Sequence, residues 1–91
     1  MGAGMNIDLQ YPIDSELGPI RSVTLRRAKV RDLKEIDAAG RTEEFRAGVV
    51  TLSLLSGLTE AQVGDMDAED FMTVMEATAG FLPQRATDPN T

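Results

Sequence analysis

The sequence contains no cysteine and no histidine. The first absence excludes disulfides and thiolate-bound metals and fits a reducing cytoplasm. The second removes the commonest general base near neutral pH and the commonest transition-metal ligand. Long apolar runs are missing too. No stretch approaches the roughly 20 residues that a membrane-spanning helix needs, and the opening MGAGMN has neither the basic segment nor the apolar core of a secretory leader. Gly2 sits where a myristoylation signal carries its acceptor, but Asn6 replaces the Ser or Thr that such a signal requires. Met5 offers an alternative start, and residues 1–6 are expected to form a flexible N-terminus.

What is present is an ordinary globular composition, 42% hydrophobic and 26% charged over 91 residues, without an internal repeat or low-complexity block. A chain of that length supports one core and buries only about 60–65% of its unfolded surface, so association with copies or partners would add stability. The net charge of −6 is unevenly spread. Residues 1–19 carry Asp8, Asp14 and Glu16. Residues 20–41 carry seven basic side chains against three acids, and residues 42–91 carry nine acids against Arg46 and Arg85. A basic centre beside an acidic carboxyl half either compensates within one fold or sets up head-to-tail contacts between copies.

The pattern along the chain predicts an α+β fold, an N-terminal antiparallel β-hairpin followed by three or four short helices, in a single domain over residues 7–82 with a flexible tail at 83–91. Ile7, Leu9, Tyr11 and Ile13 alternate with polar residues or proline, the period of a half-buried strand, and Pro12 marks an edge or an end. Turn formers fill 14–19, and a second strand through Val23 and Leu25 follows. Ile20 and Val23 are three apart and cannot share a strand face, which calls for a bulge or a late start.

Beyond Leu25 the period becomes helical. Val30, Leu33 and Ile36 make an apolar stripe, Arg31/Glu35 and Asp37/Arg41 have the spacing of surface pairs, and Gly40 offers a stop. Thr42 is the expected N-cap of a second helix, with Glu43 and Glu44 favoured by the helix dipole. In that helix Phe45, Val49, Leu52 and Leu55 form one stripe while Val50 and Leu54 form another, so it is either central or partly covered by another chain. Gly57 ends it. Thr59 and Gln62 have capping-box spacing, with Leu58 and Val63 placed as a hydrophobic staple. Asp67 and Asp70 signal a fourth helix from about Ala68 to Leu82, with Phe71, Met75, Thr78 and Leu82 on one face and Pro83 closing it.

Three segments carry a family resemblance. Val23-Thr24-Leu25-Arg26-Arg27-Ala28-Lys29-Val30-Arg31-Asp32-Leu33 is an arginine-bearing strand leading at once into a helix. Leu52-Ser53-Leu54-Leu55-Ser56-Gly57-Leu58 is a leucine-rich helix with a Gly-Leu break, and Met66-Asp67-Ala68-Glu69-Asp70-Phe71 opens an acidic final helix. Together they resemble the tail assembly chaperones of Mu-like and related tailed phages over about two-thirds of the chain. Ala28 departs from the pattern, since relatives often carry proline after the basic pair. The resemblance implies a non-catalytic protein in the cytoplasm of the bacterial host. It would coat the helical tape measure protein, help bring tail tube protein subunits to it, and work as a homo-oligomer. A longer, frameshifted product accompanies many members.

Within that reading the candidate partner-binding residues are Arg26, Arg27, Val50, Leu54, Met72 and Met75. Methionine suits reversible cover of helices because it is flexible and polarisable, although any one methionine is also a ready core filler. The basic residues Arg26, Arg27, Lys29 and Arg31 either meet acidic surfaces, including residues 60–76 of a neighbouring copy, or protect an edge strand from aggregation. No catalytic residue, cofactor or metal is expected, and nucleic acid and membrane are not expected partners.

Two other classes compete. Residues 51–78 parse as a helix-turn-helix DNA reader, but Asp65, Asp67, Glu69, Asp70 and Glu76 would then face phosphates. Asp14-Ser15-Glu16-Leu17 distantly resembles the attachment site of an acidic carrier protein, but its serine falls in a turn and Glu16 interrupts the tripeptide. An enzyme would depend on paired carboxylates, and these acids read as helix caps and solvating charge. The run DMDAED lacks the glycine and terminal glutamate of a twelve-residue calcium loop.

Overall fold

The computed structural model describes residues 4–82. Strands β1 (Met5–Ile13) and β2 (Ile20–Leu25) form a two-stranded antiparallel hairpin. Helices α1 (Val30–Thr42), α2 (Glu44–Ser56), α3 (Glu60–Gly64) and α4 (Ala68–Thr78) follow, and a 3-10 turn over Ala79–Phe81 ends the described chain. The α+β architecture expected from the sequence is the one found. Met5 and Asn6, assigned above to a flexible leader, pair with Leu25 and Thr24 at the open end of the hairpin. Residues 1–3 of that leader and the tail at 83–91 lie outside the described residues.

The hairpin contains a bulge, but on β1 and not in the second strand, where the Ile20–Val23 spacing called for one. Met5↔Leu25 through Asp8↔Ser22 run in regular register, but the next pair is Ile13↔Ile20, so β1 carries extra residues between Asp8 and Ile13. Leu9 and Ile13 still reach the core, while Tyr11 is turned outward. Extra strand residues leave N–H groups without ladder partners. Here the Asp70 carboxylate on α4 accepts from Gln10 N at 3.1 Å and Tyr11 N at 2.9 Å. Asp70 is 3% exposed. It belongs to neither a cap nor a solvating surface, as the sequence suggested, and it joins the last helix to the first strand.

Val23 and Leu25 of β2, Leu52 and Leu55 of α2, and Val74 of α4 sit at the centre of the core with Ile13. Leu58, Val63 and Met66 close it from the α2–α4 connection. Gly57 ends α2 in the left-handed region, φ 83°, where a side chain would be strained. Thr59 Oγ1 accepts from Gln62 N and Gln62 Oε1 accepts from Thr59 N, both at 3.0 Å, completing the expected capping box. The buried stripe of α4 runs through Asp70, Val74 and Thr78. Thr78 of the stripe read from the sequence is inside as expected, whereas Phe71 and Met75 are half-buried and Asp70 and Val74 take the inner positions beside them. Thr78 Oγ1 donates to Met75 O at 2.7 Å.

Helix α1 departs furthest from expectation. Gly40 does not stop it: the helix continues through Thr42, and only Glu43, extended at φ −159°, separates it from α2. Thr42 is thus the last residue of α1 and Glu43 is the N-cap of α2. The stripe Val30, Leu33 and Ile36 is not the packing face either. Val30 is 75% exposed and Leu33 37%, and the buried residues of α1 are Asp32 and Ala39. Ala38 and Ala39 line a cleft shared with Val50 and Leu54 of α2, and the small, buried Ala39 seats α1 while Val30 looks outward. The Asp37–Arg41 pair forms at 3.0 Å, whereas Arg31 and Glu35 form no ion pair among the described residues.

Two backbone bonds and one ion pair hold the passage from β2 into α1. Arg26 N donates to Leu55 O and Ala28 N to Phe81 O, each at 3.0 Å. Arg26 Nη1 and Nη2 grip Asp32 Oδ2 and Oδ1 at 2.8 and 2.9 Å, and Lys29 N adds a third bond to Oδ2 at 2.7 Å. Asp32 is 2% exposed. The Arg26 hydrogen bonds outweigh burial and hold its carboxyl down at about 2, with Lys29 N assisting. The same contact raises the Arg26 guanidinium above its usual value.

Candidate partner-binding surface

Of the large apolar residues exposed among those described, Phe45 and Met72 lie where α2 meets α4, while Met5, Tyr11 and Leu17 lie on the hairpin and Val30 and Leu33 on α1. Phe45, in the first turn of α2, is 66% exposed and stands against Phe71 of α4 with ring centroids 5.7 Å apart and planes tilted by 35°. On one side of this aromatic ridge an open groove of about 410 Å³ is lined by Glu44, Gly48 and Met75 as well as the two rings. On the other side a smaller hollow is lined by Val49, Val63, Met66 and Ala68. Gly48 forms the floor of the first: a Cβ there would stand 3.5 Å from Met75 Cε and 4.0 Å from Phe71 Cζ, so glycine keeps the groove deep. Met72, 63% exposed, lies one helical turn before Met75 and extends the apolar strip outward.

Acids border this strip. Glu69 and Glu76 are exposed and lie three residues before and four after Met72, the spacing that places them beside it on the helix surface. Glu44 lines the groove itself. The surface is therefore apolar at its centre and negative at its edge.

The six residues singled out from the sequence occupy three separate places. Met72 and Met75 belong to the α2–α4 strip. Val50 and Leu54 line the cleft beneath α1, where Val50 is buried at 7% exposure and Leu54 is half-buried. Arg46 and Glu60 bridge at 3.0 Å on the border of that cleft. Arg26 is engaged with Asp32, and Arg27 next to it is exposed. Phe45, Gly48 and Phe71 were not recognised as site residues. Phe45 reads as core in the helical period, and the available signal was a glycine three positions after it inside an otherwise apolar helix.

Asp32 and Asp70, the two buried carboxylates among the described residues, both hold backbone or arginine donors that fix the fold. Ser15, the residue weighed as a carrier attachment site, donates its hydroxyl to Gly18 O inside the hairpin turn. No helix among the described residues is long and apolar enough to cross a membrane. A family model described as phage tail assembly chaperone proteins, E, or 41 or 14, matches residues 6–83. Neither a curated protein nor a solved structure matches the chain.

Proposed function

The chain belongs to the phage tail assembly chaperone family, and on that premise we propose that its α2–α4 strip holds amphipathic helices of the tape measure protein while a tail is built. The observation that carries the reading is the ridge of exposed Phe45 on half-buried Phe71 beside the Gly48 floor. Folding alone gives no reason to leave a phenylalanine 66% and a methionine 63% exposed on adjoining helices, whereas an apolar groove between helices is a standard receiver for the apolar face of a third helix. Hollows on both sides of the ridge accept successive anchors of such a helix. Methionines at its edge adapt to anchors of different size, which suits a client with many non-identical helical turns.

The protein acts in this reading by binding and release, without a catalytic step. Recruitment of tail tube protein follows once the client is covered, and the exposed Arg27 is placed where an acidic partner surface can meet it. Co-expression with the tape measure protein tests the reading. The expected result is a soluble complex that survives purification and is lost in a Phe45→Ala/Met72→Lys variant whose circular dichroism matches the unaltered chain. A tape measure protein that stays equally soluble and equally bound with that variant would overturn it.

A further inference from the structure

The groove meets its counterpart on the opposite side of the same molecule. Helix α1 presents exposed Val30 outward with Leu33, 37% exposed, and half-buried Ile36 at spacings of three, an amphipathic stripe that the fold covers only in part. Buried Ala39, which lines the cleft with α2, lies on the reverse side of the helix from Val30. On α2 the groove residues Phe45 and Gly48 likewise lie away from Val50 and Leu54, which face α1. A chain whose α1 is clipped at its start by Arg26 N to Leu55 O and joined at its end to α2 through Glu43 alone cannot fold that stripe into its own groove.

We propose that, before a client arrives, the α2–α4 groove of one copy is occupied by the α1 stripe of a second copy, so that α1 serves as an internal stand-in for the client helix. Charge selects this occupant. The Val30–Leu33 stripe is flanked by exposed Arg27, Lys29 and Lys34, the one acid beside Leu33 on that face, Asp37, being paired with Arg41, and the groove is flanked by exposed Glu44, Glu69 and Glu76. Opposite signs at the edges of two apolar strips align one on the other and oppose pairing of either strip with itself. The contact is heterologous, because each copy offers a different surface on each side, so it propagates from copy to copy rather than stopping at a symmetric dimer. Client helices and α1 compete for one groove, and filling the chaperone with client takes such assemblies apart.

This inference rests on the assignment of the groove to client helices, and the two can fail separately. A Val30→Glu/Leu33→Glu variant damages the stripe and leaves the groove, and a Phe45→Ala/Met72→Lys variant does the reverse. All four positions are at least one-third exposed. In sedimentation the unaltered chain is expected to exceed dimer mass, and each variant to weaken association by more than roughly tenfold. An equal mixture of the two variants is expected to form a one-to-one pair and stop there, since only one competent stripe and one competent groove remain. An unaltered chain that stays monomeric, a variant that keeps its assemblies, or a mixture that forms no pair would overturn the proposal.

A second measurement uses the unaltered chain, half of it isotopically heavy. Carbodiimide linkage is expected to join Lys34 of one copy to Glu69 or Glu76 of another, and linkage confined within single copies would count against the contact. Binding of a tape measure helix by the stripe variant but not by the groove variant supports the assignment of the groove. Association that follows the expected pattern while neither variant nor unaltered chain binds the client would remove that assignment and leave the contact between copies standing.

Discussion

The carboxylate of Asp70 accepts the backbone N–H of Tyr11 at 2.9 Å, fifty-nine residues away in sequence. With the companion bond from Gln10 N it fastens helix α4 to the bulge of β1. The groove depends on this join, because α4 supplies Phe71 and Met75 to its lining.

Asp70→Ala is therefore expected to lower stability by about 1–3 kcal/mol, the range for leaving buried donors unsatisfied. Asp70→Asn keeps the shape and one acceptor oxygen and is expected to cost less. Urea denaturation gives the magnitudes. Faster hydrogen exchange at the Gln10 and Tyr11 amides in Asp70→Ala would place the loss at the bulge.

Asp32 sets an acid dependence. Its carboxyl sits at about 2 in the fold against an ordinary aspartate value of about 3.9 in the unfolded chain. A depressed carboxyl contributes stability that is complete above the unfolded value and is lost as pH falls from about 4 towards about 2. Asp32→Asn is expected to reduce stability near neutral pH and to flatten the acid limb of the curve. Unfolding curves from pH 7 down to pH 2 for both proteins check the sign. An unchanged slope in Asp32→Asn would contradict the assigned pairing with Arg26.

Ala28 has a reason to differ from proline in this chain. Its N–H donates to Phe81 O at 3.0 Å and ties the strand exit to the 3-10 turn that follows α4. Proline has no N–H and restricts the residue before it, so Ala28→Pro is expected to cost about 1–2 kcal/mol. A melt of the variant at or above that of the unaltered chain would show that this bond contributes little.

Burial separates two apolar substitutions. Leu52 is fully buried and Met72 is 63% exposed. Leu52→Asp is expected to abolish cooperative folding by burying an unpaired charge. Met72→Lys is expected to change stability by less than about 0.5 kcal/mol, in keeping with a surface site. Thermal melts of the two proteins side by side provide the comparison.

The sequence made the elements legible where local chemistry sets them. The alternation of Ile7 and Leu9, the Gly57 stop and the Thr59–Gln62 box each act within a few residues and are found in the structure, the alternation breaking at Tyr11 where the bulge turns it outward. What it concealed depends on distance. Asp70 looks like a first-turn acid until β1 supplies the amides it serves. Val30 and Leu33 look like a core stripe until α1 is seen to rest on Asp32 and Ala39, and Gly40 is tolerated inside a helix whose sharp end is made by the extended Glu43. Of the proposed surface the sequence marks Met72 and Met75, while Phe45 obeys the core period and is exposed in the fold beside Phe71 in the first turn of α4.

The most direct test is the amide spectrum of the isotopically labelled chain during titration with a peptide taken from an amphipathic helix of the tape measure protein. The account expects shifts centred on Phe45, Gly48, Phe71, Met72 and Met75, and their disappearance in Met72→Lys with the rest of the spectrum preserved. Saturating peptide that leaves those five amides unmoved, or that shifts them equally in Met72→Lys, would contradict it.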